Sequence, residues 1–402
     1  MIKFKRRLKS KLSIAHKLNP VFFGMILLIL WGFSSGTLVG ELCIEPFNAL
    51  KQKGIKKEYI QELKKRGEPE VFSGEQLKFV GMPIGGLTTG QVYLGGDGKL
   101  WYWDIFNINR IVPTRPGAGD KFYLNPMTQD HRFEQGFAIR VNKEITSFSK
   151  KLSIGGFSNI SFRGEYPIGK VEYKDRDIPV SVRLEAFSPF IPTNFEKSDF
   201  PAVVMQYQIR NESNNPMEVE IFGWLQNTAN FFTSKNTKGS HINTIVNSEG
   251  MLQLVNSSEV NMEDQDAPDY GNMSLSLLNA NKDSLASPKV IPDVAFNSSG
   301  IKPSKEMKSR ADLGEVLTGA VGQNLYLKAN EEKIVTFIVS WYYPNVHKVR
   351  IPKLKNHENL RYYYSTKFTS SADVAIEVIF IWPYIGNREF KMRCFIKFRI
   401  LR

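Results

Sequence analysis

Between Phe72 and Asn345 apolar residues return at every second position, and no 3.6-residue period lasts long enough there for a long helix. Phe137–Val141, Asn159–Arg163, Val180–Phe187, Ala202–Ile209, Glu218–Leu225 and Lys333–Trp341 are such runs, most of them bounded by Gly, Pro, Asn or Ser. A strand with that pattern must bury one face against a second layer. Strands joined without crossover helices pair antiparallel. The expected fold is therefore mainly β, a large antiparallel β-sandwich over residues 72–345. Within it, Gln253–Glu315 is rich in Asn, Ser and Asp and is expected to hold long loops.

The densest local signal is Gly81–Asn107, GMPIGGLTTGQVYLGGDGKLWYWDIFN. It reads as a glycine-rich loop (Gly81–Gly90), a strand (Gln91–Leu94), a reversing turn at Gly95-Gly96-Asp97-Gly98, and a return strand, Lys99–Phe106. Alternation along the return strand puts Trp101, Trp103 and Ile105 on one face and Leu100, Tyr102 and Asp104 on the other. MPIGG, YLGGDG and WYWDIFN, in that order, resemble the signature near the start of the N-terminal domain of glycoside hydrolase family 116. That is the bile-acid β-glucosidase and non-lysosomal glucosylceramidase family, here its bacterial branch. Glu185–Pro192 followed by Phe200-Pro201-Ala202, then Ile221–Asn227 and Val335–Asn345, are similar to family patterns too, so the resemblance spans roughly residues 58–379. It implies a sandwich of the supersandwich kind, followed in family members by a toroid of paired helices that holds both catalytic carboxylates. A β-glucoside or glycolipid carbohydrate is the implied substrate.

The two ends differ from the body. The net charge is +13, but residues 1–20 carry seven Lys or Arg and no acid, and residues 381–402 carry six against Glu389 alone. The body between is close to neutral, which argues against a nucleic-acid partner. Behind the basic leader (1–20), the segment 21–40 has the apolar heart VFFGMILLILWGF inside a 23-residue uncharged run. It reads as a hydrophobic helix, either a signal peptide or a membrane anchor, and in both cases the body is exported to a membrane-anchored, periplasmic or extracellular location. Residues 41–71 read as a helical connector docking on the domain. Residues 346–379 read as a linker and the start of the helical domain, with Leu360–Ile379 as its first helix. Phe380–Arg402 matches no family pattern and resembles out-of-frame translation.

On that reading the chain stops before the catalytic domain. It is a non-catalytic domain of a retaining β-glucosidase type of enzyme, with a stand-alone carbohydrate-binding or cell-envelope module as the alternative. No residue is assigned a catalytic role, a cofactor or a metal. Asp97 fits ordinary turn chemistry and Asp104 a backbone-satisfied strand carboxylate. GGLTTGQV lacks the Lys and Ser/Thr of a phosphate loop. The five histidines have no metal spacing, and Glu263, Asp264, Asp266 and Asp269 read as a solvated acidic loop. Cys43 and Cys394 imply no disulfide framework. Trp101, Trp103 and Asp104 are the candidates for ligand contact or for a domain interface. Trp224, Trp341, Tyr342 and Tyr343 fit a sandwich core better than a sugar platform.

Overall fold

A computed structural model of the chain describes residues 54–64, 67–108, 132–142, 147–191, 194–248, 250–293, 300–302, 304–346 and 360–385. The hydrophobic segment 21–40 lies outside them, as do both cysteines. No helix among the described residues is long and apolar enough to cross a membrane. Of the helical connector expected over 41–71, the described helix is α1, Lys57–Lys64, which belongs to a different compact unit from Glu68–Phe395.

All described strands belong to Glu68–Phe395. In chain order they are β1 (Val71–Ser73), β2 (Gly81–Ile84), β3 (Gln91–Gly95), β4 (Leu100–Asp104), β5 (Gln135–Asn142), β6 (Ser147–Lys151), β7 (Asn159–Glu165), β8 (Ile168–Lys174) and β9 (Val180–Phe187). They continue with β10 (Ala202–Asn211), β11 (Met217–Gln226), β12 (Gly239–Ser248), β13 (Met251–Val260), β14 (Asn272–Leu278), β15 (Ser284–Ser287), β16 (Lys308–Asp312), β17 (Thr318–Leu327) and β18 (Glu332–Tyr342). Helix α2, Ser371–Ile385, follows.

A ten-stranded antiparallel sheet runs β1-β7-β8-β9-β10-β18-β14-β13-β12-β16, and a five-stranded one β15-β17-β11-β5-β6. The two share one apolar core built from every second residue. Val182 and Leu184 on β9, Met205 and Tyr207 on β10 and Phe337 on β18 meet Phe137 and Ile139 on β5 and Ile221 on β11. The Phe137 ring centre lies 5.0 Å from that of Tyr207 and 5.1 Å from that of Phe337. All six strands expected from alternation are present.

Strands β10 and β18 sit at the middle of the large sheet and bury both faces, which is why AVVM and FIVSW read as continuous apolar runs there. Their outer residues Val204 and Ile338, with Phe187 and Leu278, are covered by Val374, Ala375 and Val378 of α2 and by Tyr364 and Phe368 ahead of it. The family resemblance implies a first helix over Leu360–Ile379. Instead Tyr363–Thr366 makes a short 3-10 turn and α2 starts at Ser371, where the Asp373 N–H donates to the Ser370 hydroxyl and the Asp373 carboxylate accepts from the Thr369 N–H. The helix then runs to Ile385, across the expected break at residue 380.

One further expectation is completed and one is corrected. Gln253–Glu315 holds loops, but strands run between them. It supplies most of β13 together with β14, β15 and β16, and its Gln253, Asn256, Ser274 and Ser276 are polar because they are buried and hydrogen-bonded at sheet positions. Asp269, expected in solvent, is fully buried and accepts from the Phe232 and Thr233 N–H groups and the Thr233 hydroxyl.

Candidate functional site

The glycine-rich stretch forms its own three-stranded sheet, β2-β3-β4. Its first part, Gly81–Ile84, is strand and not loop, and pairs with β3. At the turn the Asp97 carboxylate accepts from the Lys99 N–H at 3.2 Å and the Ile154 N–H at 3.1 Å, and the Asp97 carbonyl accepts from the Tyr173 hydroxyl at 2.7 Å. A side chain at Gly98, whose φ is +85°, would run into that hydroxyl. Asp97 is thus a buried turn carboxylate, occupied by backbone donors.

Clean alternation fails in β4. The register shifts between Gln91 and Tyr93, and Tyr102 opposite the shift has φ +52°. A bulge with a left-handed residue adds one position and reverses the phase beyond it. Leu100, Trp103 and Ile105 therefore share the core face, while Trp101 turns to Tyr93, edge-on at 5.2 Å. Trp103 packs on Phe133 at 5.1 Å. Both indoles are buried and Asp104 is half-buried, so this hairpin does not bring Trp101, Trp103 and Asp104 together on an open surface. Trp341 and Tyr343 are fully buried as well. The Trp341 indole N–H donates to the Thr89 carbonyl at 2.7 Å.

The loop between β2 and β3 is held the same way. The Leu87 N–H donates to the Ser198 carbonyl at 2.8 Å, and Thr89 turns its N–H and hydroxyl to the Gly86 carbonyl. Two of the loop's amides are thus engaged within the fold. Gly86 lies against the Phe200 backbone, where any Cβ would collide. The tip is left outward. Leu87 and Thr88 are exposed, Thr88 has φ +62°, and its hydroxyl donates to the buried Asp199 carboxylate at 3.1 Å. Asp199 also pairs with Lys367 at 3.5 Å. This meeting of the β2–β3 loop, the β9–β10 loop and the segment before α2 escaped sequence reasoning. Its members are far apart in the chain and carry no motif. The tyrosine run Tyr362–Tyr364 was the available clue.

Of the other buried acids, Glu220 accepts from the Ile301 N–H at 2.9 Å, and burial raises its pKa. His241 is buried with a ring nitrogen 3.0 Å from the Ala229 carbonyl and the other 3.1 Å from that of Glu315. Desolvation lowers its pKa. The remaining four histidines lie outside the described residues. Among the described residues no three His, Cys, Asp or Glu side chains gather as a metal site. A hollow of about 460 Å³ lined by Phe72, Gln76, Phe79, Val80, Gly81 and Met82 contains no titratable side chain and so no acid or base.

A family model described as beta-glucosidase 2, glycosyl-hydrolase family 116 N-term, matches residues 81–381. The chain belongs to that family. No curated protein matches it. Among solved structures it is similar to a bacterial glucoamylase complexed with acarbose, at 9% identity and TM-score 0.42 over 84% of this chain and 39% of that one. A polysaccharide lyase matches at 11% identity and TM-score 0.31, over 70% of this chain and 33% of that one. A putative aldose 1-epimerase from Klebsiella pneumoniae subsp. pneumoniae matches at 8% and 0.31, over 74% of this chain and 92% of that one. The chain thus spans well under half the length of the lyase and glucoamylase chains.

Proposed function

We propose that this chain supplies the non-catalytic β-sandwich, of the supersandwich kind, of a β-glucosidase- or glucosylceramidase-like glycoside hydrolase, with both catalytic carboxylates in a helical domain beyond α2. The family match over residues 81–381 carries the reading. The state of the described acids supports it. A retaining glycosidase needs two carboxylates about 5 Å apart at a cleft. Here Asp97, Asp199, Glu220 and Asp269 are each buried and engaged by backbone donors, a hydroxyl or Lys367. The substrate is a β-glucoside or a glycolipid carbohydrate. The body is exported, with segment 21–40 as leader or membrane tether, a reading that rests on seven cations ahead of a long uncharged run.

The test is to sequence the gene through and beyond the codons for Val378–Arg402. A one- or two-base shift that opens a long helical frame with paired carboxylates supports the assignment. An intact frame ending at Arg402, together with hydrolysis of a chromogenic β-glucoside by the purified chain, would overturn the non-catalytic role. Location is read separately: a reporter fused after Asn345 is expected on the far side of the membrane, and cytoplasmic signal alone would refute export.

A further inference from the structure

Phe195 and Tyr363 are 44% and 50% exposed, although both belong to segments otherwise pinned to the large sheet. The Trp341 N–H on β18 fastens the first by donating to the Pro201 carbonyl at 3.0 Å. Tyr364 fastens the second by donating to the Tyr343 carbonyl at 2.5 Å. The two exposed ring centres are 5.8 Å apart with planes at 44°, an open V. Lys367 Nζ sits at its base, 4.9 Å from the Tyr363 ring centre and 5.7 Å from that of Phe195. It donates to the Glu196 carbonyl at 3.4 Å and pairs with Asp199 at 3.5 Å, beside the outward tip of Thr88.

Fold stability alone accounts poorly for this arrangement. A sheltered ion pair adds little, because desolvation of both charges offsets their attraction. Rings left half in water bury less apolar surface than core rings do. Thr88 is held in a left-handed conformation that is unfavourable for a non-glycine residue. The chemistry of the cluster instead suits one ligand class. Its charges cancel, so an anion meets Asp199 and a cation meets Lys367. The rings offer apolar faces, and the Thr88 hydroxyl, the Lys367 ammonium and the Glu196 carbonyl offer donors and acceptors beside them. A neutral sugar ring presents that same pairing, a C–H face with a rim of hydroxyls.

We propose that Phe195, Tyr363, Lys367 and Thr88 form a binding site for a neutral pyranoside, the two rings stacking on the sugar and Lys367 and Thr88 hydrogen-bonding to its hydroxyls. The site stands on its own geometry and does not require hydrolysis anywhere in the chain. Calorimetric titration of the full chain with cellotetraose is expected to show saturable binding with a Kd of about 1 mM. Phe195→Ala and Tyr363→Ala each weaken it about tenfold, through loss of one of the two stacked rings. Tyr363→Phe, which keeps the ring, retains it. Tyr326→Ala, at a 55% exposed ring on β17, leaves it unchanged. Where Tyr363→Ala does not fold, Tyr363→Leu carries the same test, since it fills the V without an aromatic face. No saturation with cellotetraose or methyl β-glucopyranoside overturns the proposal. So does binding that the Phe195 and Tyr363 variants leave unchanged. Neither result bears on where the hydrolytic carboxylates lie.

Discussion

Gly86 shows how little freedom a single residue has in this fold. Its Cα lies against the Phe200 backbone, which cannot yield as a side chain would. Gly86→Ala is expected to lower stability by about 1–3 kcal/mol, the usual cost of forcing extra volume into a packed site. A chemical denaturation midpoint equal to that of the parent chain would refute the close approach. Asp175 gives a pH signature. The Lys150 ammonium at 2.8 Å, followed by the Asp177 and Ser158 N–H groups, holds its carboxyl well below the usual range. A carboxyl with a lowered folded pKa stabilises the fold above its unfolded pKa, and that contribution is lost as pH falls through the lower folded value. Asp175→Asn should therefore destabilise the chain at pH 7. Its deficit against the parent should shrink as pH drops below about 4, the unfolded Asp value. A deficit constant with pH would show that the ion pair is not its source.

At the scale of elements, α2 is attached by shape and by a short polar seam. The Ser340 hydroxyl on β18 donates to the Ser371 carbonyl at 2.8 Å and lies 2.7 Å from the Ser274 hydroxyl. The Ser371 hydroxyl is buried with no hydrogen-bond partner among the described residues. Removing a bonded buried hydroxyl costs about 1–3 kcal/mol, whereas removing an unsatisfied one costs nearly nothing. Ser340→Ala is thus expected to lower the melting temperature clearly and Ser371→Ala to leave it almost unchanged; equal losses would contradict the seam. Elements also explain the misread hairpin. Period-2 alternation was legible in LWYWD, but a bulge is set by how β3 and β4 pair, and Tyr102 carries no glycine to announce its left-handed φ.

For the whole molecule, the outer face of the large sheet is the telling surface. Ala202, Val204, Phe187, Ile338 and Leu278 are apolar there because the chain returns to cover them with Tyr364, Phe368 and α2. A chain ending at residue 359 should bind an apolar-surface dye strongly and melt earlier than the full chain. Unchanged dye binding would mean that α2 is not their cover. One edge of each of the two larger sheets carries the opposite character. The edge strand β16 reads KSRAD and β6 reads SFSKK, charges that discourage pairing with another copy.

By itself the sequence determined the strand class, six of the eighteen described strands, the turn at Gly95–Gly98 and the family. Each of these is carried by local periodicity, by residues that tolerate special φ angles, or by motifs contiguous in the chain. Only the tertiary structure decided that Asn- and Ser-rich strands lie inside, that Trp101 and Trp103 part ways, and that Asp199 meets Thr88 and Lys367. The physical reason is that burial and pairing join residues separated by a hundred positions or more, as Thr88 and Asp199 are by 111, and no local pattern records which distant backbone will supply a partner.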